Sequence, residues 1–258
     1  MISKTRLRTL SSLTQKKYRE KFGLFLAEGI NLCEEVLKSD FQIKELIYCP
    51  EILRSTHGES LLERFKNEEV PVEQLPEAAF LKISNTVHSQ GVISVVATKR
   101  FSLNALLKQK PRIVVALERI TDPGNLGTII RTADWFGTGG VVIGENSVEV
   151  TNPKVVRATM GSIFHLPILT NQKLGRTLLE FKRHGYSLVA ADVDGSVSYS
   201  QLTFKGNQVL LLGNEITGIS EELKGDAVVR VKIPKTGMVD SLNVAVAAGI
   251  FLAEMSRS

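Results

Sequence analysis

The chain has 258 residues, 43% hydrophobic and 23% charged, which is enough apolar side chain for a sizeable core and rules out bulk disorder. No apolar run approaches the ~20 residues that span a bilayer, and the first 21 residues lack the unbroken apolar stretch of a secretory signal. Two cysteines, Cys33 and Cys49, are too few for a disulfide framework or a structural zinc site, so a cytoplasmic protein of two domains is expected.

The net charge of +5 is a weak hint by itself. Its placement says more: residues 1–21 carry seven basic side chains against Glu20 alone, and the remainder is close to neutral. This N-terminal arm, with Lys4, Arg6, Arg8, Lys16, Lys17 and Arg19, has the charge to neutralise nucleic acid phosphates. From charge alone, a solvated helix face explains it equally well.

From about residue 24 to 97 the pattern alternates. EGINLCEEVLKS reads as a helix, with Ile30, Cys33, Val36 and Leu37 on its apolar side. QIKELIYCP reads as a strand stopped by Pro50. SLLERFKNE is helical, VPVEQLP extended, EAAFLKIS helical, and GVISVVATKR a strand rich in β-branched residues. These make a small α/β layer structure. The polar, basic stretch from Lys99 to Pro111 reads as a linker.

A second alternating series follows. RIVVALE is a near-continuous apolar strand of the parallel-sheet kind. NLGTIIRTADWFG is a helix closed by Gly137, and GVVIG a strand. NPKVVRATMG opens with an Asn-Pro helix start. NQKLGRTLLEFKRHG is a helix, YSLVAADV and NQVLLLG are strands, and DAVVRVKIP is a further strand before the long helix SLNVAVAAGIFLAEMS. This alternation predicts a parallel sheet with helices on both faces, whose ligand crevice lies at the strands' C-terminal ends.

Three turns in this half, each after a predicted strand, hold more Gly, Asn and charge than packing requires. They are residues 118–137, 210–220 and 231–249. In the first, Asp122-Pro123-Gly124 makes a turn and Asn125 is a cap candidate. Arg131 stands roughly 200° from Ile129 at about 100° per residue, away from the buried stripe of Ile129, Ala133 and Phe136. Taken alone, a solvated arginine explains it. In the second, Gly213 ends the strand, Glu215 follows and Gly218 completes the turn, and a helix N-terminal acid would account for Glu215. In the third, Ser241 is a good N-cap, and Asn243 sits in a helix apolar on nearly every side, which suggests a subunit interface as well as a core. No G-x-G-x-x-G, P-loop or G-x-S-x-G motif is present. His57, His88, His165 and His184 are scattered without metal-ligand spacing.

Together these segments resemble the SpoU (TrmH) family of RNA ribose 2′-O-methyltransferases in the SPOUT superfamily. Asn125, Gly127, Thr128, Ile129, Arg131, Thr132, Ala133, Phe136 and Gly137 are in register with the family's first motif. Leu211, Gly213, Glu215, Gly218 and Ile219 match the second. Ile233, Pro234, Gly237, Ser241, Leu242, Asn243, Val244, Ala245 and Ala247 match the third; Lys235 stands where the family usually has Met. FLAEG (25–29) and TVHSQGVISVV (86–96) resemble the ends of the family's small substrate-binding domain.

The resemblance implies an α/β fold with a deep trefoil knot, an RNA substrate-binding domain over 1–104 with the basic arm 1–21, a catalytic domain over 105–258, and a homodimer through the knot helices. It implies S-adenosylmethionine as cofactor, held by Leu212, Gly213, Ile233 and Leu242, and RNA as partner, ribosomal RNA before tRNA. The implied catalytic set is Arg131, Asn125, Glu215, Ser241 and Asn243. Arg131 is either the base or an electrostatic anchor; a guanidinium normally keeps its protons, which speaks for the anchor. Glu215 is expected to orient Arg131 or Asn125. Two other outcomes are a tRNA methyltransferase and a non-catalytic RNA-binding or ribosome-assembly factor on the same fold; the intact polar set argues against the latter.

Overall fold

The computed structural model describes residues 2–225 and 228–257. Met1 of the basic arm, Asp226 and Ala227 at the head of the predicted strand DAVVRVKIP, and Ser258 lie outside them. The chain divides into two compact units: residues 1–99 with 151–164, and residues 100–150 with 165–258.

The first unit opens with helices α1 (Lys4–Ser12) and α2 (Lys16–Phe22), followed by β1 (Leu24–Glu28), α3 (Ile30–Leu37), β2 (Ile43–Tyr48), α4 (Thr56–Asn67), β3 (Val72–Gln74), α5 (Glu77–Phe80) and β4 (Val92–Ala97). The sheet order is β1-β4-β2-β3, with β4 antiparallel to both neighbours and β2 parallel to β3. The basic arm is therefore not a free extension. Ser3 caps α1 by accepting from the Arg6 N–H, and Leu10 and Leu13 are buried with Leu26, Ile47, Leu75, Phe80 and Ile93. Apolar positions among the arm's cations give it a seat in the core that charge counting does not reveal.

In the second unit come α6 (Leu103–Gln109), β5 (Ile113–Leu117), α7 (Pro123–Trp135) and β6 (Val141–Gly144). Next in the chain is α8 (Pro153–Ala158), which packs on β1 in the first unit. The second unit resumes with β7 (Ile168–Gln172), α9 (Leu174–Arg183), β8 (Ser187–Ala191), β9 (Val197–Ser198), β10 (Gln208–Leu212), α10 (Glu221–Lys224), β11 (Val228–Lys232) and α11 (Val244–Arg257). Among the described residues the sheet has seven strands, all parallel, in the order β7-β6-β5-β10-β8-β11-β9.

Strand β5 is buried on both sides, as its continuous apolar run requires. Val114 and Ala116 pack with Leu174, Leu178 and Phe181 of α9 and Leu223 of α10. Ile129, Ile130 and Ala133 of α7 and Phe251 and Leu252 of α11 are buried as well, and α7 and α11 pack on each other. The expected linker Lys99–Pro111 is corrected here. Ser102 caps α6 by accepting from the Ala105 N–H, and Leu106 and Leu107 are buried in the sheet's core. Two leucines inside a Lys-rich stretch suffice to dock one short helix.

The C-terminal end of β8 is tied by charge to β11 and α10. Asp192 Oδ2 accepts from Arg230 Nε at 2.8 Å and lies 3.3 Å from Lys224 Nζ. Burial pushes the Asp192 carboxyl up, but the Asp194 N–H, Lys224 and Arg230 together outweigh it, and the carboxyl titrates below the ordinary aspartate range. A carboxyl depressed on folding stabilises the protein above its unfolded value, near pH 4, and that contribution disappears as the pH falls through the folded value. Asp192→Asn should thus lower the urea midpoint at pH 7 and flatten its decline in acid; identical midpoint-versus-pH curves for variant and wild type would contradict this linkage.

Candidate active site

The three Gly- and Asn-rich segments converge in the second unit. Helix α7 starts one turn earlier than the sequence suggests. Asp122 is its N-cap, accepting from the Asn125 N–H at 2.7 Å, and Pro123 takes the first helical position, where a missing N–H is harmless. Asn125 is consequently not a cap: it lies in the first turn, with its side-chain amide free to reach the other two segments.

The second segment is a tight turn. Asn214 and Gly218 pair as an isolated bridge, and Asn214 Oδ1 accepts from the Ile216 and Thr217 N–H groups. Two contacts hold this turn to the end of β5. Asn214 Nδ2 donates to the Arg119 carbonyl at 3.0 Å, and the Ser220 N–H donates to Glu118 Oε2 at 2.8 Å. Gly213 passes so close to Gly218 that a Cβ on it would stand 2.3 Å from the Gly218 carbonyl carbon. No helix begins at Glu215, so the helix N-terminal reading of that residue is removed.

In the third segment Ser241 does not cap the last helix. Asn243 does: its Oδ1 accepts from Ala245 N–H at 2.9 Å and Val246 N–H at 3.3 Å. Asn243 thus stands at the helix entrance and not within an apolar helix, and Val246 on the same helix is half-exposed. The Asn243 amide then donates to Asn125 Oδ1 at 2.9 Å, and the Asn125 amide donates to Glu215 Oε1. A relay Asn243–Asn125–Glu215 joins all three segments through side chains that lie about 90 and 118 residues apart in the chain. It also fixes both amide orientations, since each donates to one neighbour and accepts from another.

Beside this relay is a cavity of about 800 Å³. Leu212, Gly213, Ile233 and Leu242 all line it, as do Glu215 and Ser241. Arg131 is exposed on α7, on the side away from Ile129, Ile130 and Ala133, and makes no hydrogen bond or ion pair among the described residues. Glu215 therefore meets Asn125 and not Arg131. Of the arm residues, Lys4, Arg8, Lys16 and Lys17 are exposed. Arg6 is paired with Glu45. Arg19 is corrected: it is 3% exposed, and its Nη1 donates to the Leu13 and Thr14 carbonyls at 2.9 and 2.8 Å, so it ties α2 to the preceding turn and has no reach to a phosphate. Glu118, Asn214 and the Asp192–Lys224–Arg230 cluster escaped the sequence reading. Position at the C-terminal end of a parallel strand is the signal that marks Glu118, Asp192 and Asn214 alike.

Comparison with known proteins identifies the family. The SpoU rRNA Methylase family matches residues 112–253, and the MRM3-like substrate binding domain matches residues 4–94. The 23S rRNA (guanosine(2553)-2′-O)-methyltransferase RlmP of Bacillus subtilis is 31% identical over 240 residues, 93% of this chain and 91% of that protein. The AdoMet-bound rRNA methyltransferase from Sinorhizobium meliloti is similar in structure, with a TM-score of 0.86 and 34% identity over 100% of this chain and 97% of the other. The SpoU methyltransferase AviRb from Streptomyces viridochromogenes, in complex with AdoMet, gives 0.86 and 27% over 99% and 98%. A match across more than half the chain makes this protein a member of the SpoU rRNA methylase family.

Proposed function

We propose that this chain transfers a methyl group from S-adenosylmethionine to a ribose 2′-hydroxyl of ribosomal RNA. The observation that carries the reading is the Asn243–Asn125–Glu215 relay at the rim of a cavity lined by Leu212, Gly213, Ile233 and Leu242. The cavity suits the cofactor: its volume is within the ~300–1,000 Å³ of small-molecule sites. Leu212, Ile233, Leu242 and Val244 offer apolar walls for an adenine, and the turns around Gly213 and Gly237 bring backbone edges to it. When bound, S-adenosylmethionine supplies a methyl group already activated by its sulfonium.

The chain's own residues do the rest. Glu215 and Asn243 hold the Asn125 amide in one orientation, so that the ribose meets fixed dipoles. Arg131, unpaired and exposed, is the cation that holds the ribose or its neighbouring phosphate and stabilises the developing alkoxide. Ser241 adds a hydroxyl at the same cavity. Lys4, Arg8, Lys16 and Lys17 contact RNA phosphates from the first unit, which serves as substrate-binding domain, the second unit serving as catalytic domain. The C-terminal part of the catalytic domain forms a deep trefoil knot. The exposed Trp135 of α7 and Val246 of α11 belong to a homodimer interface. The protein works in the cytoplasm; no described helix is long and apolar enough to cross a membrane.

The test is methyl transfer from labelled S-adenosylmethionine to unmethylated ribosomal RNA, ribosomal subunits and tRNA, followed by nuclease mapping for 2′-O-methyl. Label in ribosomal RNA or subunits is the expected result. Label in tRNA alone would shift the substrate, and cofactor binding absent by calorimetry with no label anywhere would leave an RNA-binding factor.

A further inference from the structure

FLAEG and TVHSQGVISVV, the two segments that marked the first domain in the sequence, meet at one carboxylate. Glu28, the last residue of β1, is only 8% exposed. Its Oε1 accepts from Thr86 Oγ1 at 2.6 Å, from Ser89 Oγ at 2.7 Å and from Ser84 Oγ. Its Oε2 accepts from the Asn85 N–H at 2.8 Å. Gln90 extends the clamp, accepting on Oε1 from the Ile30 N–H at 2.8 Å at the start of α3. Gly29 lies between the two at φ 110°, a backbone conformation that favours glycine, and the Gln90 oxygen lies 2.9 Å from where a Cβ would be.

Removing a carboxylate from water is costly unless donors replace its hydration, and here four neutral donors from one loop do so. The loop gives nothing to the core in return: no residue from 84 to 90 is buried. What the clamp achieves is a single fixed conformation for an exposed loop. Its hydroxyls are turned inward, and its outward face is Val87, 93% exposed, and His88. Lys82 stands exposed just before it. Exposed Arg54, with Glu51 beside it, is on the turn that packs against Gly91. A pre-ordered tip with an apolar side chain and an imidazole, flanked by cations, suits unpaired RNA, whose splayed bases take apolar and ring contacts while the phosphates take the charge.

We propose that residues 84–90, held by Glu28, form an RNA-contacting loop in which Val87 and His88 touch an unpaired segment of the substrate and Glu28 is a positioning residue. This rests on the RNA methyltransferase reading above. The full chain would be tested with unmethylated 23S ribosomal RNA as probe, measuring RNA affinity, KM and kcat, cofactor affinity and thermal midpoint. Val87→Asp should weaken RNA affinity and raise KM on the order of tenfold, with kcat, cofactor affinity and thermal midpoint unchanged. His88→Ala should act in the same direction. Glu28→Gln should raise KM for RNA while sparing kcat, a split that a merely structural defect would not give. If that variant fails to fold, Val87→Asp decides, because its side chain is in solvent. Wild-type KM in Val87→Asp overturns the proposal. So does normal binding of naked RNA with a loss seen only on assembled subunits, which would mark a protein contact. If the wild type itself methylates no RNA, the functional reading falls first and this inference with it.

Discussion

Arg131→Ala should lower the methyl-transfer rate by at least about 10²–10³-fold, the cost of removing one aimed stabilising group, with S-adenosylmethionine affinity by calorimetry unchanged. Both halves follow from the position of the side chain. Arg131 is exposed, makes no contact that supports the fold, and does not line the cavity assigned to the cofactor. Truncating it leaves Ile129, Ile130 and Ala133 buried as before, so the thermal midpoint should not move. Arg131→Lys keeps the charge but loses the planar fork that grips a phosphate at two points, and should recover only part of the rate. A wild-type rate in Arg131→Ala would remove this residue from the chemistry and return it to a solvated surface arginine.

Gly213→Ala should abolish cofactor binding and lower the thermal midpoint. The added Cβ would meet Gly218 carbonyl carbon at 2.3 Å, its oxygen at 2.4 Å and Ile219 nitrogen at 2.4 Å. All three are backbone atoms, so no side chain can swing aside. They belong to a turn closed by the Gly218 N–H to Asn214 carbonyl bond and tied to β5 through Arg119 and Glu118. The turn must open to admit the methyl group, and its residues 213–219 form one wall of the cavity. Overpacking of this kind costs about 1–3 kcal/mol, a shift of several degrees for a chain this size. Unchanged calorimetric titrations with Gly213→Ala would mean that the turn yields without harm and that the cavity wall lies elsewhere.

Sequence by itself determined the architecture of the second unit and the location of its site. Long apolar runs such as RIVVALE and NQVLLLG can be satisfied only by burial on both faces, and alternation with amphipathic helices leaves a parallel sheet as the arrangement that achieves it. The three Gly- and Asn-rich turns were legible because they follow those strands, where a parallel sheet collects its ligands. Local charge misled in two places. The arm and the stretch 99–111 read as solvated because their charged residues are nearly all Lys and Arg, yet Leu10, Leu13, Leu106 and Leu107 seat both in cores. A few apolar positions outweigh many exposed cations, since the cations keep their water when the helix docks and the leucines lose theirs. Tertiary structure alone decided which polar groups meet. Asn243 caps α11 and reaches Asn125; Asn125 reaches Glu215; Glu28 gathers donors 56 to 61 residues away. Such bonds are short-range in space and unrestricted in sequence. Composition and periodicity describe what a segment buries, while the partner of a buried amide or carboxylate is fixed only when the sheets have formed and brought their loops together.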